Sequence, residues 1–339
     1  ITQAFDAKED VQTLVDDAER RIFSLAERRL EGSALPVGKI LRNTFEYIER
    51  LYERKEHVTG VATGFEKLDL ETSGLQPSDF IIIAARPSMG KTALALDIAV
   101  NAATIGRHTV AIFSIEMSAE QLVQRMMCAK ARANAHRLRT GYFQDEEWDR
   151  LAKAASALWD APIYIDDSTD MTPMMMRAKC RRLKAEHGLG LVVVDYLQLM
   201  RSQRNQENRQ QEISEIARGL KGLARELKVP VIALSQLSRA PEKREDKRPM
   251  LSDLRESGSI EAEADLVAML FREDYYKREE IEDTEAVRGR ADGADPDSRH
   301  VEPTEIIIAK HRNGPTGTVK IGFVKEFASF ENLYDGYED

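Results

Sequence analysis

A mostly parallel α/β sheet flanked by helices is the fold this sequence predicts, on three observations. Short apolar runs recur at 80–85, 110–115, 163–165, 191–194, 229–234 and 266–271, several of them continuous rather than alternating. Continuous runs are what strands covered on both faces require. Helical segments at 119–133, 146–158, 172–187 and 208–227 lie between the runs, and a strand that returns to its sheet through a helix becomes a parallel neighbour. Finally, the first run passes at once through Arg86-Pro87-Ser88-Met89-Gly90-Lys91-Thr92 into a helix-like stretch beginning at Ala93. That order of strand, tight loop and helix is the frame of a phosphate-binding loop.

Upstream of the sheet, Val11, Leu14, Val15, Ala18, Ile22, Leu25 and Ala26 fall at helical spacing, with Arg20, Arg21, Glu27, Arg28 and Arg29 on the other face. This predicts one amphipathic helix over 8–31. Gly32-Ser33-Ala34-Leu35-Pro36 interrupts it as a linker does. Its apolar stripe must be buried either on its own domain or on a neighbouring copy. A second helix, 37–56, carries Ile40, Leu41, Ile48 and Leu51. Residues 1–36 therefore read as linker helix and linker, and 37–339 as one catalytic domain. Within the latter, 208–227 shows a single stripe of Ile213, Ile216, Ala217, Leu220, Leu223, Ala224 and Leu227. Residues 277–302, rich in charge and glycine, read as a mobile surface loop. The runs 304–309 and 318–324 read as a closing hairpin turned through Asn313-Gly314-Pro315-Thr316-Gly317.

Composition sets outer bounds. At 339 residues and 42% hydrophobic content, the chain can bury a full core. A net charge of −9 argues against a basic coat for nucleic acid and leaves room for a local basic channel. Cys128 and Cys180 have no Cys/His set at metal-ligand spacing, so they read as reduced cysteines of a cytosolic protein. The sequence has no apolar run long enough for a membrane span and no charged-then-apolar leader, so a cytoplasmic protein is expected. The start at Ile1 rather than Met points to a fragment or a processed chain.

The chemistry-bearing residues cluster at predicted strand ends. The loop matches G-x-x-x-x-G-K-[ST] except that Ala85 stands at the first glycine. Phosphate chemistry asks this motif for inward backbone N–H groups from Arg86 to Ala93, a lysine (Lys91) on the terminal phosphates, and a hydroxyl (Thr92) on Mg²⁺. Ala85 is expected to keep a negative φ, because a left-handed alanine would be strained. Asp195 ends the run Leu191-Val192-Val193-Val194, where a carboxylate supports the metal. Glu116 follows another run and reads either as a base that polarises the attacking water or as a solvated helix cap. Gln236 closes a third run, where it can sense a γ-phosphate.

Longer stretches carry a resemblance. Phe80 to Thr92 (FIIIAARPSMGKT), Phe113 to Ser118 (FSIEMS), Val192 to Met200 (VVVDYLQLM), Ile232 to Arg239 (IALSQLSR), Asp246 to Asp265 (DKRPMLSDLRESGSIEAEAD) and Ile306 to Val319 (IIIAKHRNGPTGTV) occur in this order. In that order they resemble the bacterial replicative DNA helicases of the DnaB family. The likeness runs from the linker helix to the C-terminus and covers that family's linker and its RecA-like P-loop motor. The family's N-terminal helical domain has no counterpart here, so no primase docking is expected from the resemblance.

The resemblance implies a homohexameric ring that binds ATP and Mg²⁺ between subunits, moves 5′→3′ along single-stranded DNA and unwinds the duplex, with a helicase loader as partner and no membrane. It implies that Lys91, Thr92 and Asp195 hold phosphate and metal, Glu116 activates water, and Gln236 and Arg125 lie near the γ-phosphate. Lys310 and Arg312 match a pair that reaches into the neighbour's site as an arginine finger; the alternative for Arg312 is an ordinary surface charge on a hairpin. DNA contacts are expected from Arg255, Glu256 and Gly258, with Arg201, Arg204 and Arg209 as further candidates. Lys243, Arg244, Lys247 and Arg248 read equally as a solvated charged loop. Neither candidate loop holds an aromatic residue, so phosphate tracking rather than base stacking is expected. Two other readings are a strand-pairing recombinase of the same fold and a nucleotide-gated ring that acts as a scaffold.

Overall fold

The computed structural model describes residues 36–54, 57–141, 144–201, 208–254, 257–276 and 301–333. The chain divides into two compact units, Ile1–Glu56 and His57–Asp339. The helix expected at 8–31, its linker at 32–35 and most of the charged loop at 277–302 lie outside the described residues. In the first unit the described element is the helix Val37–Arg54. The boundary expected after residue 36 counted this helix with the catalytic domain, whereas the division falls twenty residues later, between Glu56 and His57. Within this unit Ile40, Leu41, Phe45, Ile48 and Tyr52 of the helix are exposed.

The second unit is built on one sheet of strand order β3-β2-β4-β5-β1-β6-β7-β8-β9. Its strands are β1 Phe80–Ala85, β2 Thr109–Ser114, β3 Ile163–Asp166, β4 Leu189–Asp195, β5 Val231–Gln236, β6 Leu266–Phe271, β7 Val301–His311, β8 Gly317–Val324 and β9 Ser329–Asn332. The first six strands pair in parallel and the last three antiparallel. Alternate residues of β1 feed two cores: Ile81, Ile83 and Ala85 face one way, Phe80, Ile82 and Ala84 the other. The helix Lys91–Thr104 covers the first face through Leu94 and Ile98. The helices Pro173–His187 and Arg209–Leu227 cover the second through Met176, Ile213, Ile216, Leu220 and Leu223. Cover on both sides is why these strands read as continuous apolar runs.

Local chemistry sets the helix ends. Asn208 caps Arg209–Leu227 by accepting from Gln210 N, and Thr172 accepts from Met175 N ahead of Pro173. Both are favoured N-cap residues, and proline is tolerated in the first turn because it has no N–H to lose there.

Among the strands, β7 and β9 differ most from expectation. β7 begins at Val301, because Glu302 is fully buried in an ion pair with Arg272. β9 is a four-residue strand of mixed polarity, formed because Phe330 packs on Phe323 at a 4.8 Å centroid distance and donates its N–H to Asp97 Oδ2 at 2.7 Å.

Leu220 is fully buried between the helix Arg209–Leu227 and the sheet. Leu220→Ala is expected to lower unfolding free energy by about 2–5 kcal/mol, read as a shift of the urea midpoint at unchanged m-value.

Candidate active site

Parallel pairing brings the candidate groups to one edge. Ala85 at the end of β1 pairs with Gln236 at the end of β5, and Ser114 at the end of β2 pairs with Asp195 at the end of β4. Ligands in open α/β sheets bind at this carboxyl edge. The loop after β1 turns through left-handed Ser88 (φ 65°) and Gly90 (φ 95°), while Ala85 keeps an ordinary φ as a paired strand residue. A Cβ on Gly90 would lie 2.9 Å from Phe330 Cζ, so glycine is needed for space as well as for φ. No side chain caps the helix Lys91–Thr104, which leaves its first N–H groups to an anion.

Lys91 Nζ sits 3.9 Å from the Asp195 carboxylate and 4.6 Å from the centroid of Tyr196. Burial pushes the Lys91 pKa below that of a free lysine, while Asp195 and then Glu116 pull it back up. Thr92 Oγ1 donates to Asp195 Oδ2 at 2.8 Å. Asp195 is 2% exposed, and its Oδ1 accepts no hydrogen bond. A buried carboxylate oxygen without a donor, beside a hydroxyl, suits a divalent cation. Among the described residues no group of three His, Cys, Asp or Glu gathers into a cage. One carboxylate, one hydroxyl and phosphate oxygens are the pattern that Mg²⁺ accepts.

Glu116 lies exposed, two residues beyond β2. The following helix, Ala119–Ala131, is capped by Ser118 in a capping box with Gln121, and Ala119 N donates to Asp167. The cap role that competed for Glu116 is thus filled by others. Arg125 is exposed on the same helix. The Arg86 guanidinium turns to Glu242 and the Leu237 carbonyl, fastening the loop to the chain beyond β5 and leaving its backbone to the phosphate loop. Met89 is buried beneath the loop, so it offers phosphate only its backbone. Gln198, which sequence reasoning missed, donates to Ser235 Oγ at 2.9 Å and accepts from Gln236 N at 3.4 Å. Its place three residues after Asp195 was the available signal.

Lys310 and Arg312 lie at the opposite edge. β7 runs antiparallel to β6, and His311 pairs with Leu266, which aligns with Ile81 near the start of β1. The length of β1, six residues at ~3.3 Å each or roughly 17–20 Å, separates that edge from the P-loop. Here Arg312 contacts Asp265 and the Ala262 carbonyl, and Lys310 contacts the Glu261 carbonyl.

Among the DNA candidates, Gly258 is exposed in the short helix Ser257–Glu263. Arg201 pairs with Asp170 at 3.0 Å on the surface, and Arg209 contacts Glu212 and the Gln198 carbonyl. Arg204, Arg255 and Glu256 lie outside the described residues. Of the charged loop at 239–248, Arg244 pairs with buried Asp253 and Arg248 with Glu305 at 2.7 Å, so both serve the fold.

The fold and this edge define a P-loop nucleoside triphosphatase with a RecA-like sheet. The family model described as DnaB-like helicase C terminal domain matches residues 60–332. The chain is 51% identical over 333 residues to the replicative DNA helicase DnaB of Geobacillus stearothermophilus, covering 98% of this chain and 69% of that protein. It is 50% identical to the Bacillus subtilis replicative DNA helicase DnaC, with the same coverage of both. Among solved structures, an isolated ATPase domain superposes with a TM-score of 0.78 at 38% identity, covering 89% of this chain and all of that one. A DnaB-like replicative helicase solved with attention to its interactions with primase gives 0.75 at 36% identity, over 95% of this chain and 75% of that one. The chain belongs to the DnaB family of replicative DNA helicases, nucleotide-hydrolysing enzymes that work as hexameric rings on DNA with 5′→3′ polarity. The recombinase and scaffold readings give way to that membership. Among the described residues no helix is long and apolar enough to cross a membrane.

The helix behind the P-loop also holds a titrating group. Asp97 borders a cavity of about 180 Å³ beside Arg132 and Glu331, and burial pushes its carboxyl up to about 7. A carboxyl with a folded pKa above its unfolded value keeps its proton in the folded chain where the unfolded chain has lost it. Stability therefore falls as pH rises from about 4 to about 7 and is flat above. Chemical unfolding at pH 5 and pH 8 checks this: Asp97→Asn is expected to lose less stability between the two than the parent does.

Proposed function

We propose that ATP with Mg²⁺ binds at the P-loop and is cleaved at a seam between two subunits. The backbone from Arg86 to Ala93 cradles the phosphates, with Ser88 and Gly90 supplying the left-handed turns. Lys91 leaves Asp195 for the terminal phosphates, exchanging one buried anion for another. Thr92 and Asp195 hold the Mg²⁺, which supplies charge neutralisation on the phosphate oxygens. Glu116 takes the proton of the attacking water, Gln236 reads the γ-phosphate from the end of β5, and Arg125 lies near the same phosphate.

Lys310 and Arg312 complete the site of the next subunit. The observation that carries this is their separation from their own P-loop by the length of β1. No side chain spans that distance within one subunit, whereas a ring brings one subunit's far edge to another's carboxyl edge. An arginine finger is worth roughly 10³ to 10⁵ in rate where it has been isolated.

Single-stranded DNA is contacted along its backbone by the segment of Arg255, Glu256 and Gly258, its phosphates held by Arg255 with the aid of Arg201, Arg204 and Arg209. Turnover around the ring moves these loops in sequence, which displaces the other strand. A helicase loader delivers the ring to DNA in the cytoplasm.

Mixing two inactive proteins tests the seam. Rings that combine Lys91→Ala with Arg312→Ala subunits are expected to regain nucleotide turnover, since some seams then pair an intact P-loop with an intact finger. Stable mixed rings without recovery would sink the proposal. For the grip, affinity for oligonucleotides of different sequence is expected to agree at fixed salt and to fall with a log–log slope of about 0.7 per phosphate neutralised. A strong base preference measured by fluorescence anisotropy would contradict it.

A further inference from the structure

Between β4 and the candidate DNA segment lies a short turn that touches both functional ends of the protein. Leu197–Leu199 forms one 3₁₀ turn directly after Asp195-Tyr196, anchored by Leu197 and Met200, which are 0% and 1% exposed. With both anchors sunk in the core, the turn has little freedom to shift alone. Gln198, half-buried between them, spans the gap to β5: its amide donates to Ser235 Oγ at 2.9 Å, and its Oε1 accepts from Gln236 N at 3.4 Å. On the other side the Gln198 backbone carbonyl accepts from the Arg209 guanidinium, at the start of the helix Arg209–Leu227. One residue therefore contacts the strand end assigned to the γ-phosphate and an arginine assigned to DNA.

We propose that Gln198 is a positioning residue that couples the Arg209 side of the DNA segment to Gln236. This rests on the assignments of Gln236 to the γ-phosphate and of Arg209 to DNA made above. The chemistry is simple. When Arg209 turns from the Gln198 carbonyl to a DNA phosphate, the turn loses a charge-assisted hydrogen bond on one side and keeps a bidentate amide contact on the other. The change in the turn is passed to the backbone N–H of Gln236, which sets where that side chain meets the nucleotide. DNA in the pore thereby alters the γ-phosphate end of the site within the same subunit.

The test measures nucleotide turnover with and without saturating single-stranded DNA in assembled rings of the parent, Gln198→Met, Arg209→Ala and the double variant. The readout is the ratio of stimulated to unstimulated kcat, which a merely structural loss does not change. The ratio is expected to fall by about tenfold in Gln198→Met, the order of one or two net hydrogen bonds. The double variant is expected to be no worse than Gln198→Met alone, because the two lie on one path. Ser235→Ala removes one of the same contacts from β5 and is expected to lower the ratio too, which keeps the test open if Gln198→Met rings do not form. Additive losses, an unchanged ratio, or equal falls in both rates would overturn the coupling. Gln236→Met separates the levels. If it is stimulated like the parent, the γ-phosphate assignment fails and the coupling with it; if it loses stimulation that Gln198→Met keeps, only the coupling fails.

Discussion

Parallel register is the constraint on which the rest of this protein depends. Because β1, β2, β4 and β5 run the same way, their last residues share one edge, and the loop beyond β1 opens beside Glu116, Asp195 and Gln236. The same geometry sends whatever follows an antiparallel strand to the other edge, where Lys310 and Arg312 lie. A single protomer thus carries its P-loop and the proposed finger pair at opposite edges of the sheet. Closing a ring is the economical way to join them, and family membership in hexameric helicases agrees with that geometry.

The far edge has its own anchor. Asp265 accepts from Phe80 N at 2.7 Å and from Lys221 Nζ at 2.5 Å, and its carbonyl accepts from Arg312 N at 2.8 Å. One buried carboxylate thereby ties the starts of β1 and β6 to the helix Arg209–Leu227 and to the turn that bears Arg312. In the isolated protomer Arg312 and Lys310 rest on the last carbonyls of the helix Ser257–Glu263, where cations are favoured. That helix follows the Arg255-Glu256 segment directly and is held to Arg209–Leu227 through Ser214–Ser259 and Arg218–Glu263. Elements next to the DNA candidates and the turn that bears Arg312 are therefore linked through this helix.

Much of this was legible in the sequence, for physical reasons that can be named. Strands buried on both faces are continuous apolar runs, so β1 and β6 were bounded to the residue and β2, β4 and β5 within two. The helix at 208–227 was legible from its single stripe of Ile213, Ile216, Ala217, Leu220, Leu223, Ala224 and Leu227. Ala85 was read at a negative φ because a left-handed alanine would be strained, and it keeps one. What escaped was non-local. β9 depends on Phe323 and Asp97, distant in sequence, and Gln198 gains meaning only when β5 lies alongside it. The loop pattern speaks for the Arg86 backbone, and the partner of its guanidinium, Glu242, lies far along the chain. The helix Val37–Arg54 has a clear amphipathic stripe, and periodicity does not say which unit takes it.

A structure of the assembled ring with ADP and a planar phosphate mimic tests the central claim most directly. Lys91, Thr92, Asp195 and Glu116 of one subunit are expected around the mimic, with the Arg312 guanidinium of the adjacent subunit at hydrogen-bond distance from it. A ring in which every group around the mimic comes from a single subunit, with Arg312 still resting on Asp265, would contradict it.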